Sequence, residues 1–581
     1  MKLCTVRIHL AWRGVMALGL SGLVAGFPAH VQASDSAVTD IGSRRELFVD
    51  EQLIERLTGD ARLRLHEPKP EPETFVTDAP WEGSGSGYFN IFQDGDRYRM
   101  YYKGVQIDPF SEYDKKRNKS YLAAVPLCYA ESDDGIHWRR PNLGLHAFDG
   151  SKENNIVILN GMIPGIDLDA GAAAVFKDGN PAAPADARYK AIVHSRSPRR
   201  GLLVLKSPDG IRWSLLHPEV VITEGAFDSQ NLAFWDPTIG KYRAYWRYFS
   251  RDPREATLAL NSGGGPARAA TATATAPGYG QPVEGGAVHL GVRAIRTATS
   301  KDLIHWEDMA NLRYGDVPEE HLYTNQVHPY HRAPHILIGF PTRYAEPELP
   351  EGVLDDARRP AGPERTRQWS PSMRALPELE HREMRASASE RYGSALTDTV
   401  LMSSRDGVNF RRWMEAFLRP GIERPGSWNY GQLYMVWHAI ETRSRLPGAP
   451  NELSLYAGED YWTGNSMVLR RYTLRLDGFA SASAPYSGGE LVTKPIRFSG
   501  SELRLNFATS IAGRVRVEIQ EPDGRPIAGF SLAESDAMFG DTLERAVTWR
   551  RSADVSHLAG RPVRLRLVLK DADVYAFRFT E

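Results

Sequence analysis

Short runs of β-branched and aromatic residues, separated by turn residues, occupy most of the chain and pair off as hairpins. Residues 88–92, the turn Gln93-Asp94-Gly95-Asp96 and residues 97–103 predict the first. Residues 172–176 and 188–194, around Lys177-Asp178-Gly179-Asn180-Pro181, predict a second. The others are 231–235 with 241–248 around Asp236-Pro237, 325–330 with 336–343, and 430–439 with 452–457. Each hairpin leads on to a third strand, so the pattern predicts five blade-like units. After Arg475-Leu476-Asp477-Gly478-Phe479 the character changes. Runs at 503–507, 515–519, 546–550 and 563–569 then alternate at the spacing of a β-sandwich.

One phrase recurs in the third strands. It reads Ser132-Asp133-Asp134-Gly135-Ile136-His137-Trp138, Ser207-Pro208-Asp209-Gly210-Ile211-Arg212-Trp213, Ser300-Lys301-Asp302-Leu303-Ile304-His305-Trp306 and Ser404-Arg405-Asp406-Gly407-Val408-Asn409-Phe410. The Asp-Gly supplies a turn and the aromatic returns to the core. Such wide spacing suits insertion-rich propeller blades rather than a short solenoid repeat. The expected fold is therefore all-β: a five-bladed β-propeller over 45–478, followed by a β-sandwich over 479–581.

Two stretches interrupt the pattern. Residues 255–287, rich in Ala, Gly, Thr and Pro, read as a flexible loop, and residues 346–391 read as a polar insertion with a short helix. At the N-terminus, Lys2, Arg7 and Arg13 precede an apolar run at 14–27, and Val31-Gln32-Ala33 offers small-residue cleavage. Residues 1–33 are thus expected to be a signal peptide, too short for a retained anchor. Of the two cysteines, Cys4 lies in that segment and Cys128 stands alone, so no internal disulfide forms in the mature chain. A bacterial periplasmic or secreted protein is expected, with no membrane insertion after signal removal. The formal net charge of −1 gives no electrostatic case for nucleic acid.

Ser300-Lys301-Asp302-Leu303-Ile304-His305-Trp306 resembles a phrase of the five-bladed propeller glycosidases, notably glycoside hydrolase families 32 and 43. Family 32 also carries a C-terminal β-sandwich. The resemblance spans about residue 45 to the end and implies hydrolysis of a furanoside or related bond by three carboxylates on the innermost strands. The chain departs from these families in lacking an Asn-Asp-Pro-Asn-Gly signature, an Arg-Asp-Pro and a Glu-Cys pair. Catalytic residues are therefore argued from position.

Ligands of propellers meet the mouth, where innermost strands begin and second strands end. Asp94, Asp96, Asp178 and Asp236 fall in turns on the opposite face, and the repeated Asp134, Asp209, Asp302 and Asp406 read as turn or blade-stapling residues. The catalytic candidates left at the mouth are Glu82, Asp169 and Asp228, with Glu319 or Glu320 and Glu459 offered as the general acid. Trp81 and Trp428, with Asn429 beside it, are candidate sugar platforms, and Gln230 and Asn231 belong to the polar cluster beside Asp228. Asn325 opens blade four, and Arg343 ends a second strand where it either holds an anionic sugar or pairs with a blade acid. His328, His331 and His335 invite a metal reading, but strand and turn geometry scatters them. No metal, cofactor or nucleotide site is expected.

The leading expectation is an exported glycoside hydrolase acting on an oligo- or polysaccharide, a furanoside, fructan-like or other plant or algal glycan. A sialidase-like hydrolase is one alternative, although the phrase is one residue shorter than the Asp-box and sialidases have six blades. A non-catalytic carbohydrate-binding propeller is the other.

Overall fold

The computed structural model describes residues 38–105, 125–250, 292–348, 369–388 and 391–581. The expected export segment and the 255–287 stretch lie outside these residues. Five antiparallel sheets succeed one another along the chain. Blade 1 runs Gly87–Asp94, Arg97–Lys103, Leu127–Ser132 and Ile156–Ile158. Blade 2 runs Ala174–Lys177, Tyr189–Ser197, Gly201–Ser207 and Ser214–Leu215. Blade 3 runs Leu232–Asp236, Lys241–Ser250, Val292–Ser300 and Trp306–Asn311.

Blade 4 comprises His328–Tyr330, Ala333–Gly339, Thr342–Ala345, Leu396–Ser404 and Phe410–Leu418, with His321–Leu322 pairing at its margin. Its second strand, expected unbroken, is split at Phe340-Pro341, where proline cannot donate to the ladder. Blade 5 runs Ile440–Thr442, Glu452–Glu459 and Val468–Arg475, and takes its outermost strand, Lys69–Val76, from the far end of the ring. Regular pairing of its first strand begins only at Ile440. Leu433 and His438 have φ of 56° and 81°, which interrupts the expected 430–439 strand, although Leu433 and Val436 still donate their amides to Gly458 and Tyr456.

The innermost strands are joined around the axis by buried amides. Asn90 Oδ1 accepts from the Val175 amide at 3.0 Å, and Gln230 Nε2 donates to the Tyr88 carbonyl at 2.9 Å. Gln326 Nε2 donates to both Gln230 Oε1 and the Met435 carbonyl at 2.8 Å, and Trp437 Nε1 to the Val327 carbonyl at 2.8 Å. All five blades are tied into this network. The fold is a five-bladed β-propeller.

The repeated phrase forms the same turn four times. In the first copy, Gly135 donates its amide to Ser132 Oγ at 2.9 Å, and Ile136 and His137 donate theirs to Asp134 Oδ1 at 2.8 Å. The same bonds recur at Asp209, Asp302 and Asp406. A tyrosine from the preceding blade then staples the turn. Tyr101 donates to the Gly210 carbonyl at 3.0 Å, Tyr245 to that of Gly407 at 2.9 Å, and Tyr456 to that of Gly135. At Gly407 φ is +80°, and an added Cβ would lie 2.3 Å from Arg243 Nη1, so only glycine fits. The third copy has Leu303 there instead, and its carbonyl accepts from its own Trp306 Nε1 at 3.2 Å. That internal bond takes the place of the tyrosine staple.

The C-terminal module is one hydrogen-bonded sheet of eight strands around an apolar core that includes Phe507, Val517, Trp549 and Leu567. The expected runs at 503–507 and 515–519 merge into Glu502–Gln520, whose pairing to Arg564–Thr580 is interrupted between Thr509 and Arg514. Ile54–Gly59 and Arg62–Leu65, expected within the propeller, pair instead with Gly489–Thr493 and Ala480–Ala484 of this module. Their Leu57 and Leu63 pack on its core. Buried Asp477 joins the parts, accepting from Arg45, Arg332 and Tyr330 and from Asn506 Nδ2. Of the 346–391 insertion, the described part forms short helices at Pro371–Ala375 and Leu379–Ala388. Among the described residues no helix is long and apolar enough to cross a membrane.

Replacing Tyr245 with Phe leaves the buried Gly407 carbonyl without its donor. A loss of about 1–3 kcal/mol is expected in urea unfolding, with little change in the denaturant slope.

Candidate active site

Every second strand carries a charged residue within its last four positions, towards the mouth: Lys103, Arg196, Arg247, Arg343 and Glu459. What each charge meets decides what it can do. Arg343 is committed internally, to Asp398 through Nε at 2.9 Å and Nη2 at 2.5 Å and to Glu320 at 3.2 Å. Arg412 also binds Glu320. Buried Glu459 is held by Arg424 at 2.7 Å, Arg470 at 2.9 Å and the Tyr472 hydroxyl at 3.1 Å. Glu320 and Glu459 therefore act as counter-ions of structural arginines rather than as the expected proton donor. Glu319 accepts from Ser250 Oγ at 2.8 Å.

Glu82 is also corrected. Its side chain has no solvent exposure. It accepts from Arg140 Nε at 2.9 Å and Nη2 at 2.8 Å, and from the Tyr102 hydroxyl. Its loop folds over the outer strands of blade 1, where Trp81 Nε1 donates to Asn155 at 2.7 Å and the ring meets Phe148 edge-on. Trp81 is thus packing rather than a sugar platform. Gln230, Asn231 and Asn325 are each at most 2% exposed and serve the backbone or the axial network. They do not line the mouth as expected. Trp428 is half-buried and donates from Nε1 to the Gly421 carbonyl at 2.9 Å, while Asn429 accepts from Arg382. His328 is buried against Phe340 and His438, His331 faces Glu441, and His335 faces Glu46.

Asp228 and Asp169 remain. Asp228 keeps 44% of its side chain accessible, yet it is hydrogen-bonded to Arg247, which is 3% exposed. Burial alone would raise its pKa, but Arg247, with Arg293 adding to it, holds the carboxyl well below the usual range. Asp169 immediately precedes the short turn Ala170–Ala172 that leads into blade 2 and leaves its side chain out of that turn's capping. Its Oδ1 lies 2.8 Å from Arg196 Nη2 and its Oδ2 3.9 Å from His194 Nδ1. Burial again opposes ionisation, and His194, Arg196 and Lys103 outweigh it. Both acids are ionised at neutral pH.

Around them lies an aromatic wall of Tyr88, Tyr323, Tyr344, Tyr430, Tyr434, Tyr461 and Trp462. Lys103 Nζ sits 4.8 Å from the Tyr88 ring centroid, and its pKa falls to about 8 because burial outweighs the pull of Asp169 and Tyr323. The Arg247 guanidinium lies 4.9 Å from the Tyr323 centroid and that of Arg293 5.6 Å. The Tyr323 hydroxyl accepts from Tyr430 at 3.0 Å. Burial pushes the Tyr323 phenol up and Asp228 adds to that, yet Arg247, Arg391 and the Tyr430 bond bring it below the ordinary tyrosine range. Asp460, beside Tyr461, is the one carboxyl among the described residues resolved as raised; burial comes first, then repulsion from Glu459 and Glu378. The tyrosines, arginines and Asp460 carry no local signature of a sugar platform or a catalytic carboxylate in the sequence. Their shared signal was position, at or just past the mouth ends of the same strands.

No family model matches the chain, and no curated protein matches it. Solved structures similar to it include a thermostable family-43 glycoside hydrolase, at 11% identity over 68% of this chain and 92% of that one, TM-score 0.34. An endo-arabinase from Bacteroides thetaiotaomicron matches at 11% identity over 70% and 99%, TM-score 0.31. An N-acetylgalactosamine deacetylase from F. plautii, in complex with blood group B trisaccharide, matches at 11% over 71% and 94%, TM-score 0.36. Similarity this distant carries nothing about residues or substrate, nor about a family-32-like origin of the C-terminal module.

Two outcomes follow from this geometry. Glu82→Gln, which leaves the buried end of Arg140 poorly matched, is expected to lower stability by about 1–3 kcal/mol in chemical unfolding. Tyrosinate absorbance is expected to show one group titrating below the usual value of about 10, absent from Tyr323→Phe. Because the folded state favours that phenolate, Tyr323's contribution to stability grows as pH rises from its folded pKa towards about 10.

Proposed function

We propose that this chain is an exported glycoside hydrolase that cleaves a glycosidic bond at the propeller mouth, with Asp228 and Asp169 as its working carboxylates. The observation that carries this reading is Asp228: ionised, accessible, anchored on a buried arginine and facing an aromatic wall. A fixed carboxylate of this kind can stabilise the oxocarbenium-like charge of glycoside hydrolysis, or act on the reacting carbon or its water. The reaction also needs a proton donor with a raised pKa. Asp460, held up by burial and two neighbouring acids, is proposed for that part. Tyr323, Tyr430, Tyr461 and Trp462 are buried against one another and form a rigid apolar backing to the mouth rather than open sugar platforms. The C-terminal module is proposed as a supporting β-sandwich.

A second reading, a sialidase-like hydrolase, is favoured by one observation. Arg247 and Arg391 make the Tyr323 phenol more acidic, and some glycosidases use a tyrosine as nucleophile.

The test is release of reducing sugar across a panel of furanosides, fructans and plant and algal polysaccharides. Asp228→Asn is expected to lower turnover of an active glycan by about 10²–10⁴-fold, measured where the variant is still folded, and to cost about 1–3 kcal/mol of stability because buried Arg247 loses its counter-ion. Full activity in Asp228→Asn and Asp169→Asn would remove both from the mechanism. A loss as large in Tyr323→Phe selects the sialidase-like reading. Binding without turnover by the wild-type chain selects the non-catalytic one.

A further inference from the structure

Three guanidinium groups at the mouth share one carboxylate. Arg247 and Arg293 both lie against the same two rings, at 5.6 and 5.7 Å from the Phe249 centroid and 4.9 and 5.6 Å from that of Tyr323. Arg200 approaches from blade 2, with Cζ 5.2 Å from the Phe227 ring, the residue before Asp228. All three interact with Asp228. Only Arg247 is paired with it; among the described residues, no carboxylate lies within ion-pair distance of Arg200 or Arg293. Arg293 is 8% exposed and Arg247 3% exposed. No acceptor among the described residues reaches Arg247 Nε or Nη1, both buried.

This is an unbalanced arrangement. Three fixed positive charges face one negative charge, and Lys103 and Arg391 stand near the same aromatic wall. Like charges packed on shared rings repel, and buried donors without acceptors are unfavourable. Arg343 and Arg140 are balanced instead, the one by Asp398 and Glu320 and the other by Glu82. An incoming anion would restore the balance, because oxygens of a carboxylate or sulfate match the planar donor fork of arginine.

We propose that the glycan taken at this mouth is acidic, with its carboxylate or sulfate group held by Arg200, Arg247 and Arg293 around Asp228. The inference rests on the same site as the proposed hydrolase but concerns binding, and so it is tested without turnover.

The experiment is calorimetric titration of the intact mature chain with galacturonate and oligogalacturonides, with galactose 6-sulfate and sulfated galactans, and with galactose and neutral galactans. The acidic saccharides are expected to bind at least about tenfold more tightly than their neutral counterparts and to weaken as salt is raised. Whether the uronate or the sulfate series binds identifies the anionic group. Arg293→Gln and the more exposed Arg200→Gln are each expected to reduce acidic-sugar affinity about tenfold while leaving the unfolding midpoint near wild type. Should one variant fold poorly, the other decides. Equal binding of neutral and acidic sugars, unaltered affinity in a well-folded variant, or failure of every acidic saccharide to bind overturns the proposal. Acidic-sugar binding without cleavage overturns the hydrolase reading alone, and cleavage of neutral glycans with no acidic preference overturns this one alone.

Discussion

The pairing of Lys69–Val76 with Val468–Arg475 makes the fold a ring. An open row of five sheets would let each blade choose its own angle to the next. Once the outermost strand of blade 5 comes from the chain segment preceding blade 1, the five innermost strands must share one axis. Around that axis the amides of Asn90, Gln230 and Gln326 bridge neighbouring strands with directional bonds. Such a network, with its bonds made in a low-dielectric interior, specifies the angular order of the blades as well as their contact. The closing segment follows strands that belong to the C-terminal module, so module and ring are tied together beside the closure, where buried Asp477 collects Arg45, Arg332, Tyr330 and Asn506.

Closure also explains the chemistry of the mouth. Antiparallel blades bring the ends of five second strands to one face, and this chain puts charge there each time. A symmetric scaffold becomes an asymmetric site through the choice of counter-ion. Where blade neighbours supply acids, as for Arg343, the charge is used up internally. Where arginines surround an acid, as for Glu459, the acid is used up instead. Around Asp228 the neighbours are tyrosines and more arginines, so charge is left over and is directed to whatever enters. Tyrosine suits such a wall because its face accepts a cation while its hydroxyl can give up a proton.

The blades were legible because their signals are local. Period-two alternation, Asp-Gly turns and the repeated phrase each lie within a dozen residues, and all four phrase aspartates proved to be turn formers holding backbone amides. The placement of Asp228 at a strand opening was legible for the same reason. Glu82 was misread because its partner Arg140 is 58 residues away, and nothing local announces a buried ion pair. Gln230, Asn231 and Asn325 look like a binding cluster in sequence, since an amide facing the axis and one facing a ligand have the same neighbours along the chain. The strands at 54–65 were assigned to the propeller by proximity, whereas their partners lie beyond residue 479.

The two faces of the ring carry different burdens. On the far face, first and second strands join through short turns, and the Ser-x-Asp turns with their tyrosine staples repeat from blade to blade. There a substitution disturbs a bond between blades and is felt as stability. The second and third strands that end at the near face are separated in the sequence by 104–126, 251–291 and 346–395, which have no counterpart in one another. There no staple repeats, and Lys103, Asp169, Asp228, Arg293 and Tyr323 differ in kind from blade to blade. Fixing the ring from one side is what allows the other to hold ionised carboxylates and surplus guanidinium groups. The strain of like charges is borne by strands whose opposite ends are already fastened.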